Sequence, residues 1–378
     1  MSQQLTTVLT TTLTLLNQFQ ETLSPPSLAQ STQPPSKDGK ALPLLTASSS
    51  ALKAQVTKLS LLAISTPFTH SAIVNVLRAC NDSVLPSLLT ATLLVNPAEY
   101  TTAFHTEVLV LSKGILSEFA TLVKCVKAIS ENKDQSKKQN PSKKEAELPQ
   151  TEKDSVTSAT GRVWDACDAL THIAANGVVG FITHRVEQWR DLVRDAVDEL
   201  ENWDPEEDDD DFFDDILGDD AGEKSDGVES DEDSDDKGTE ALSEQKKSSL
   251  RFLKPILQVY PAIIKNRFKV IQDEAFTASG DVARVEKLLL HLKNIPDQID
   301  EAAGALYEDD IDLSVKFLLK TQKSASQAVE SAKLPLDAND ANSEGTTGDK
   351  FSVWSSTWSK VMDEVAKSIR PGSTESEQ

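Results

Sequence analysis

The sequence predicts an all-α protein, two helical-bundle domains joined by a disordered acidic linker. Apolar residues recur at three- and four-residue steps along most of the chain, the period of an amphipathic helix. Strand signals are almost absent, which leaves helix-on-helix packing as the way to bury apolar surface. Between Asp204 and Asp236 stand nineteen Asp and Glu against one Lys, in a chain of 378 residues and net charge −23. The acidity therefore describes a linker, and the remainder is nearly balanced.

The elements follow in order. Over residues 3–23, Leu5, Val8, Leu9, Leu13, Leu16 and Phe19 form one stripe despite many threonines. Four prolines in PPSLAQSTQPPSKDG then break the chain. A second helix is expected over about 44–64 and a third over about 69–95, kinked at Pro86. Asn96-Pro97 punctuates before a long helix over about 98–130, striped by Phe104, Val108, Leu111, Ile115, Phe119, Leu122 and Val126. Residues 131–157 are charged and broken by proline, the composition of a loop. Their KKQNPSKK stretch has the look of a solvated basic loop or a weak nuclear import signal.

Further on, Val163, Trp164, Cys167, Leu170 and Ile173 are expected to share a buried face, with Asn176-Gly177 as the stop. The next helix carries Phe181, Val186, Trp189, Val193, Ala196, Leu200 and Trp203 inward, and Asp204-Pro205 ends it. Helical character resumes near Ser243 and runs to about Ala278, with Pro255 and Pro261 as kinks. Ser279-Gly280-Asp281 gives a break and an N-cap. Helices then cover about 282–307, bent at Pro296, and about 311–333. A last helix over about 350–369 presents Phe351, Trp354, Trp358, Val361 and Val365. The expected domains are a bundle over 1–204 with disordered loops at about 24–41 and 131–157, the linker 205–244, a bundle over 245–370 and a disordered tail 371–378.

Composition and motifs argue against catalysis. Neither GxxxxGK[ST] nor GxGxxG occurs, there is no GxSxG elbow, and no histidine pair has HExxH spacing. The acidic run lacks the glycine and glutamate register of a calcium loop. Cys80, Cys125 and Cys167 are far apart in apolar-periodic stretches, as buried thiols in a reducing compartment would be. No secretory leader and no membrane span is expected. Direct nucleic-acid binding is disfavoured, because that affinity rests on Lys and Arg neutralising phosphates. No catalytic residue, cofactor or metal site is expected.

The remaining signal is interaction. Phe212, Phe213, Ile216 and Leu217 sit inside the acidic run at i, i+1, i+4 and i+5, one side of a short helix. Two readings stay open: docking into a partner with an apolar groove and a basic rim, or an intramolecular staple between the bundles. Ser230 and Ser234, followed by acids, are candidate phosphorylation sites for an acid-directed kinase.

GRVWDACDAL (161–170), DLVRDAVDELENW (191–203), the acidic linker after it, LKPILQVYPAIIKNRFKVIQ (253–272) and KLLLHLKNIPDQIDEAAGALY (287–307) together resemble the Grap2 and cyclin-D-interacting proteins. The resemblance implies bundles like talin and vinculin rod modules and no catalysis. It also implies cell-cycle regulation by binding cyclin-type or helix-loop-helix partners, in cytoplasm and nucleus. From other classes, the alternatives are an acidic chaperone for basic proteins such as histones, or a talin-like cytoskeletal adaptor.

Overall fold

The computed structural model of the chain describes residues 2–24, 41–139, 147–205, 232–271, 282–335 and 349–369. Among these every regular element is helical, as the periodicity predicts. The loop at 25–40, most of the acidic linker, the Ser279-Gly280-Asp281 break and the 371–378 tail lie outside the described residues.

The chain forms two compact units, Met1–Phe181 and Ile182–Gln378. The division falls one helix before the boundary expected at 204.

In the first unit, α1 (Ser2–Thr22) is helical in spite of its threonines because the hydroxyls turn inward onto their own helix. Thr7, Thr10, Thr11 and Thr14 each donate to the carbonyl four residues back at 2.9–3.0 Å, while Leu5, Leu9 and Leu16 are buried. Helix α2 (Ala41–Ile64) buries Leu45, Leu52, Val56 and Leu59. Next come α3 (His70–Ala79), a π-helical turn (Cys80–Val84) and α4 (Leu85–Leu94). The kink expected at Pro86 is this π turn, which widens the helix just before a residue that cannot donate. After α5 (Pro97–Tyr100), Thr101 takes φ 73° and breaks the expected continuous helix before α6 (Thr102–Gln139). Helix α6 packs against α1, α2 and α4.

Two corrections concern 131–157. Helix α6 runs on to Gln139, and α7 (Gln150–Asn202) begins at Gln150, so most of the expected loop is helical. The tertiary contacts explain it: buried Lys133 sits 5.7 Å from the Phe68 ring, His70 faces Asp134 at 3.4 Å, and Asn132 donates to Glu152 at 3.0 Å. Helix α7 bends at Gly177, with φ 67° and ψ −173°. That backbone region is essentially open to glycine alone.

The second unit takes the last part of α7, then α8 (Glu232–Leu257), α9 (Val259–Ile263), a second π turn (Ile264–Phe268), α10 (Val282–Tyr307), α11 (Ile311–Ser331) and α12 (Lys350–Ser368). Helix α8 starts eleven residues before the expected Ser243. Its first residues include Glu232, Asp233, Asp235 and Asp236, and carboxylates are favourable at a helix N-terminus. Helices α10 and α11 pack as an antiparallel hairpin capped by Asp310, whose carboxylate accepts from the Leu313 N–H at 2.9 Å. On α12 the buried line is Phe351, Ser355, Trp358, Met362 and Val365; Val361, expected inside, faces out.

A buried cation organises this unit. Arg267 donates to the carbonyls of Ala332 (2.6 Å), Lys333 (2.9 Å) and Asn266 (2.9 Å) and pairs with Asp349 at 2.7 Å. Its guanidinium also lies 4.4 Å from the Phe351 ring centroid. One side chain thus ties the π turn to the end of α11 and the start of α12. Burial works to raise the Asp349 pKa, but bonds from Ser352 and Arg267 outweigh it and hold the carboxyl below its usual range.

Candidate functional site

The first half of α7 buries Val156, Ala159, Val163, Cys167, Leu170 and Ala174, one continuous stripe at helical spacing. Trp164 follows Val163 by one residue, which turns it about 100° off that line. It is therefore 36% exposed at the edge of the bundle, not inside it as expected.

That edge meets α2. The Lys53 Nζ lies 5.8 Å from the Trp164 ring centroid and bonds both oxygens of Asp168, one turn beyond Trp164, at 2.7 and 2.5 Å. An exposed pair of this kind adds about 0–1 kcal/mol to stability, and a surface cation–π contact about 0.5–1. Its main effect is positional, for it fixes the orientation of an exposed indole. Two turns along the same face of α2 from Lys53 stands Leu61, 56% exposed. The other edge of α7 is latched to α6, where Arg162 donates to Glu118 at 2.7 Å. The result is a rigid platform with a large ring, an aliphatic side chain and a neutralised charge pair facing outward. Tryptophan beside a cation is the composition of an interface anchor.

The other tryptophans serve packing. Trp358 is buried and donates its indole N–H to the Pro255 carbonyl at 2.7 Å, and Trp354 stacks on it at 6.1 Å. Trp203 meets Tyr307 edge-on at 4.9 Å.

Of the residues expected to bind a partner, Phe212, Phe213, Ile216 and Leu217 lie outside the described residues, as does Ser230. Ser234 falls in the first turn of α8. The Lys53, Trp164 and Asp168 cluster was not foreseen; the offset of Trp164 from the line 156–159–163–167–170–174 was its available signal. Among the described residues no group of three or more His, Cys, Asp or Glu is placed to hold a metal ion. None of their helices is long and apolar enough to cross a membrane. Cys80 and Cys167 are buried, and burial pushes both thiols up to about 12.

Residues 44–206 match the family model described as Grap2 and cyclin-D-interacting, N-terminal. The span includes Lys53, Trp164 and Asp168. No curated protein matches the chain.

Proposed function

We propose that this chain, which carries a Grap2 and cyclin-D-interacting N-terminal domain over residues 44–206, is a non-catalytic interaction protein of the cell cycle. Its partner is a cyclin-type regulatory protein, with helix-loop-helix transcription regulators as a second class, and it acts in cytoplasm and nucleus. The observation that carries the reading is the coincidence of two things: the family match, and an exposed, clamped tryptophan face inside the matched span. An ordered ring on a rigid helix can be buried by a partner at low entropic cost, which is what an interface anchor requires. The Phe212, Phe213, Ile216 and Leu217 element supplies a further contact in this reading.

The test is a direct binding titration of purified full-length chain with a D-type cyclin and, separately, with a helix-loop-helix protein. Saturable binding to either supports the proposal. Absence of both, together with binding of histones that collapses with added salt, favours the acidic chaperone instead.

A further inference from the structure

A line of exposed cations without carboxylate partners runs along α8 and on through α9 and the second π turn. Lys247, Arg251 and Lys254 on α8 and Lys265 in the π turn are all exposed, and none makes a hydrogen bond or ion pair with a described residue. Their positions stay within roughly 40° of one line on a helix that turns about 100° per residue. Gln258 and Pro261, uncharged and exposed, fill the same line, and Lys269 follows it. At about 1.5 Å of rise per residue the line is roughly 27 Å long.

Elsewhere the chain pairs its cations. Lys53, Arg162, Arg194, Arg267, Lys333 and Lys367 each hold a carboxylate within 3.3 Å. Like charges a turn apart on one helix face repel and cost stability. In a chain of net charge −23, carboxylates are not scarce. A solvated helix face explains isolated lysines; it does not explain why this one excludes acids over five turns.

A polyanion is attached to the same helix. Residues 206–231 join α7 to α8 and contain fourteen carboxylates and one lysine. We propose that this acidic segment of the same chain is the occupant of the basic line on α8 and α9. Reach is ample: 26 residues extend up to about 90 Å, and Lys247 lies roughly 22 Å along α8 from Glu232. Tethering supplies an effective concentration near the millimolar range, enough for a weak multipoint ionic contact to form within one molecule. Glu240 and Glu244, the exposed acids of α8 itself, stand N-terminal to the line and leave it clear. The occupied line is closed to outside polyanions, so the segment restrains the protein from binding them. Phosphate on Ser230 would add about −1.5 to −2 charge and tighten the contact. The inference is independent of the cyclin-type partner proposed above.

The experiment couples carboxylates to amines with a zero-length carbodiimide on an equal mixture of unlabelled and ¹⁵N-labelled full-length chain, read by mass spectrometry. Amide links should join Lys247, Lys254, Lys265 and Lys269 to acids of 206–231 within one chain, at least tenfold above links to Lys316, Lys320 and Lys323 of α11. Salt at about 0.5 M should remove the excess, since the screening length there is under 5 Å. Links spread evenly over the lysines, or mainly between labelled and unlabelled chains, overturn the proposal. In parallel, fluorescent heparin is titrated against wild type and a variant with Asp208, Asp209, Asp210, Asp211, Asp214 and Asp215 changed to Asn. The variant should bind at least tenfold more tightly, and Lys247→Glu with Lys254→Glu should abolish the gain. Equal, tight binding by wild type means that the line is already open, and the proposal fails.

Discussion

Removing the Arg267 side chain is the sharpest probe of how the second unit is held together. The guanidinium is 5% exposed and makes three carbonyl hydrogen bonds at 2.6–2.9 Å, besides its 2.7 Å pair with Asp349. Hydrogen bonds to charged groups contribute about 1.5–3 kcal/mol each. Breaking one partner of a buried ion pair costs about 3–5 kcal/mol. These figures overlap and do not add. Asp349 keeps 26% of its side chain in water, so solvent compensates part of the orphaned charge. Arg267→Ala should therefore cost about 3–4 kcal/mol, the lower part of that range. For a unit of this size each kcal/mol moves Tm by about 2–4 °C, so the expected fall is roughly 6–15 °C. Tryptophan fluorescence is the assay, because Trp189, Trp203, Trp354 and Trp358 all belong to the second unit and only Trp164 to the first. Arg267→Lys keeps the charge without the planar fork and should recover less than half of the loss. A fall below 2 °C for Arg267→Ala would refute the assignment of Arg267 as the organising contact.

Gly177→Ala forces a side chain into the φ 67°, ψ −173° region and should cost about 1–3 kcal/mol, read as a lower urea midpoint; an unchanged midpoint contradicts the bend in α7. Asp300 is pushed above the usual carboxylate range by burial and then by Asp297, Glu199 and Glu301. Its contribution is therefore fully present below its unfolded pKa and lost as pH rises through the folded one. Asp300→Asn should raise Tm at pH 7 and give little gain near pH 3.5; a loss at pH 7 would reverse the sign of that argument. Cys80 and Cys167, buried with thiols pushed up to about 12, should stay unmodified by a thiol reagent at pH 8 in the native state. Half-buried Cys125 should react first, and prompt labelling of all three would contradict the packing.

Much of the fold was legible because long apolar stripes at helical spacing override weak local propensities. Helices α1, α10, α11 and α12 begin and end within a few residues of the positions their stripes imply. Gly177 was legible too, as a glycine after Asn at the end of a stripe. What misled was charge. Residues 131–139 carry Lys133 and Asp134, which look like loop composition, yet they face Phe68 and His70 across the bundle. Residues 232–242 look like more acidic linker, yet acids at a helix N-terminus meet its dipole favourably. The Thr101 break and the π turn at Cys80–Val84 have no composition signature strong enough to read. Trp164 was assigned to the core by its neighbour Val163, because a large aromatic is usually inside. Its actual role depends on Lys53, 111 residues earlier, which no local pattern contains.

The central claim is that the clamped Trp164 face is a protein-binding surface. It is tested most directly by measuring the Kd of a D-type cyclin for the wild-type chain and for Trp164→Ala, with Tm recorded for both. The account predicts saturable binding by wild type, and at least a tenfold loss in the variant, the cost of about 1.4 kcal/mol or more that removing an interface anchor carries. It also predicts helical content and Tm close to wild type, since Trp164 lies off the buried stripe. Undiminished cyclin binding by a folded Trp164→Ala chain would contradict the site, and no binding by wild type would contradict the function.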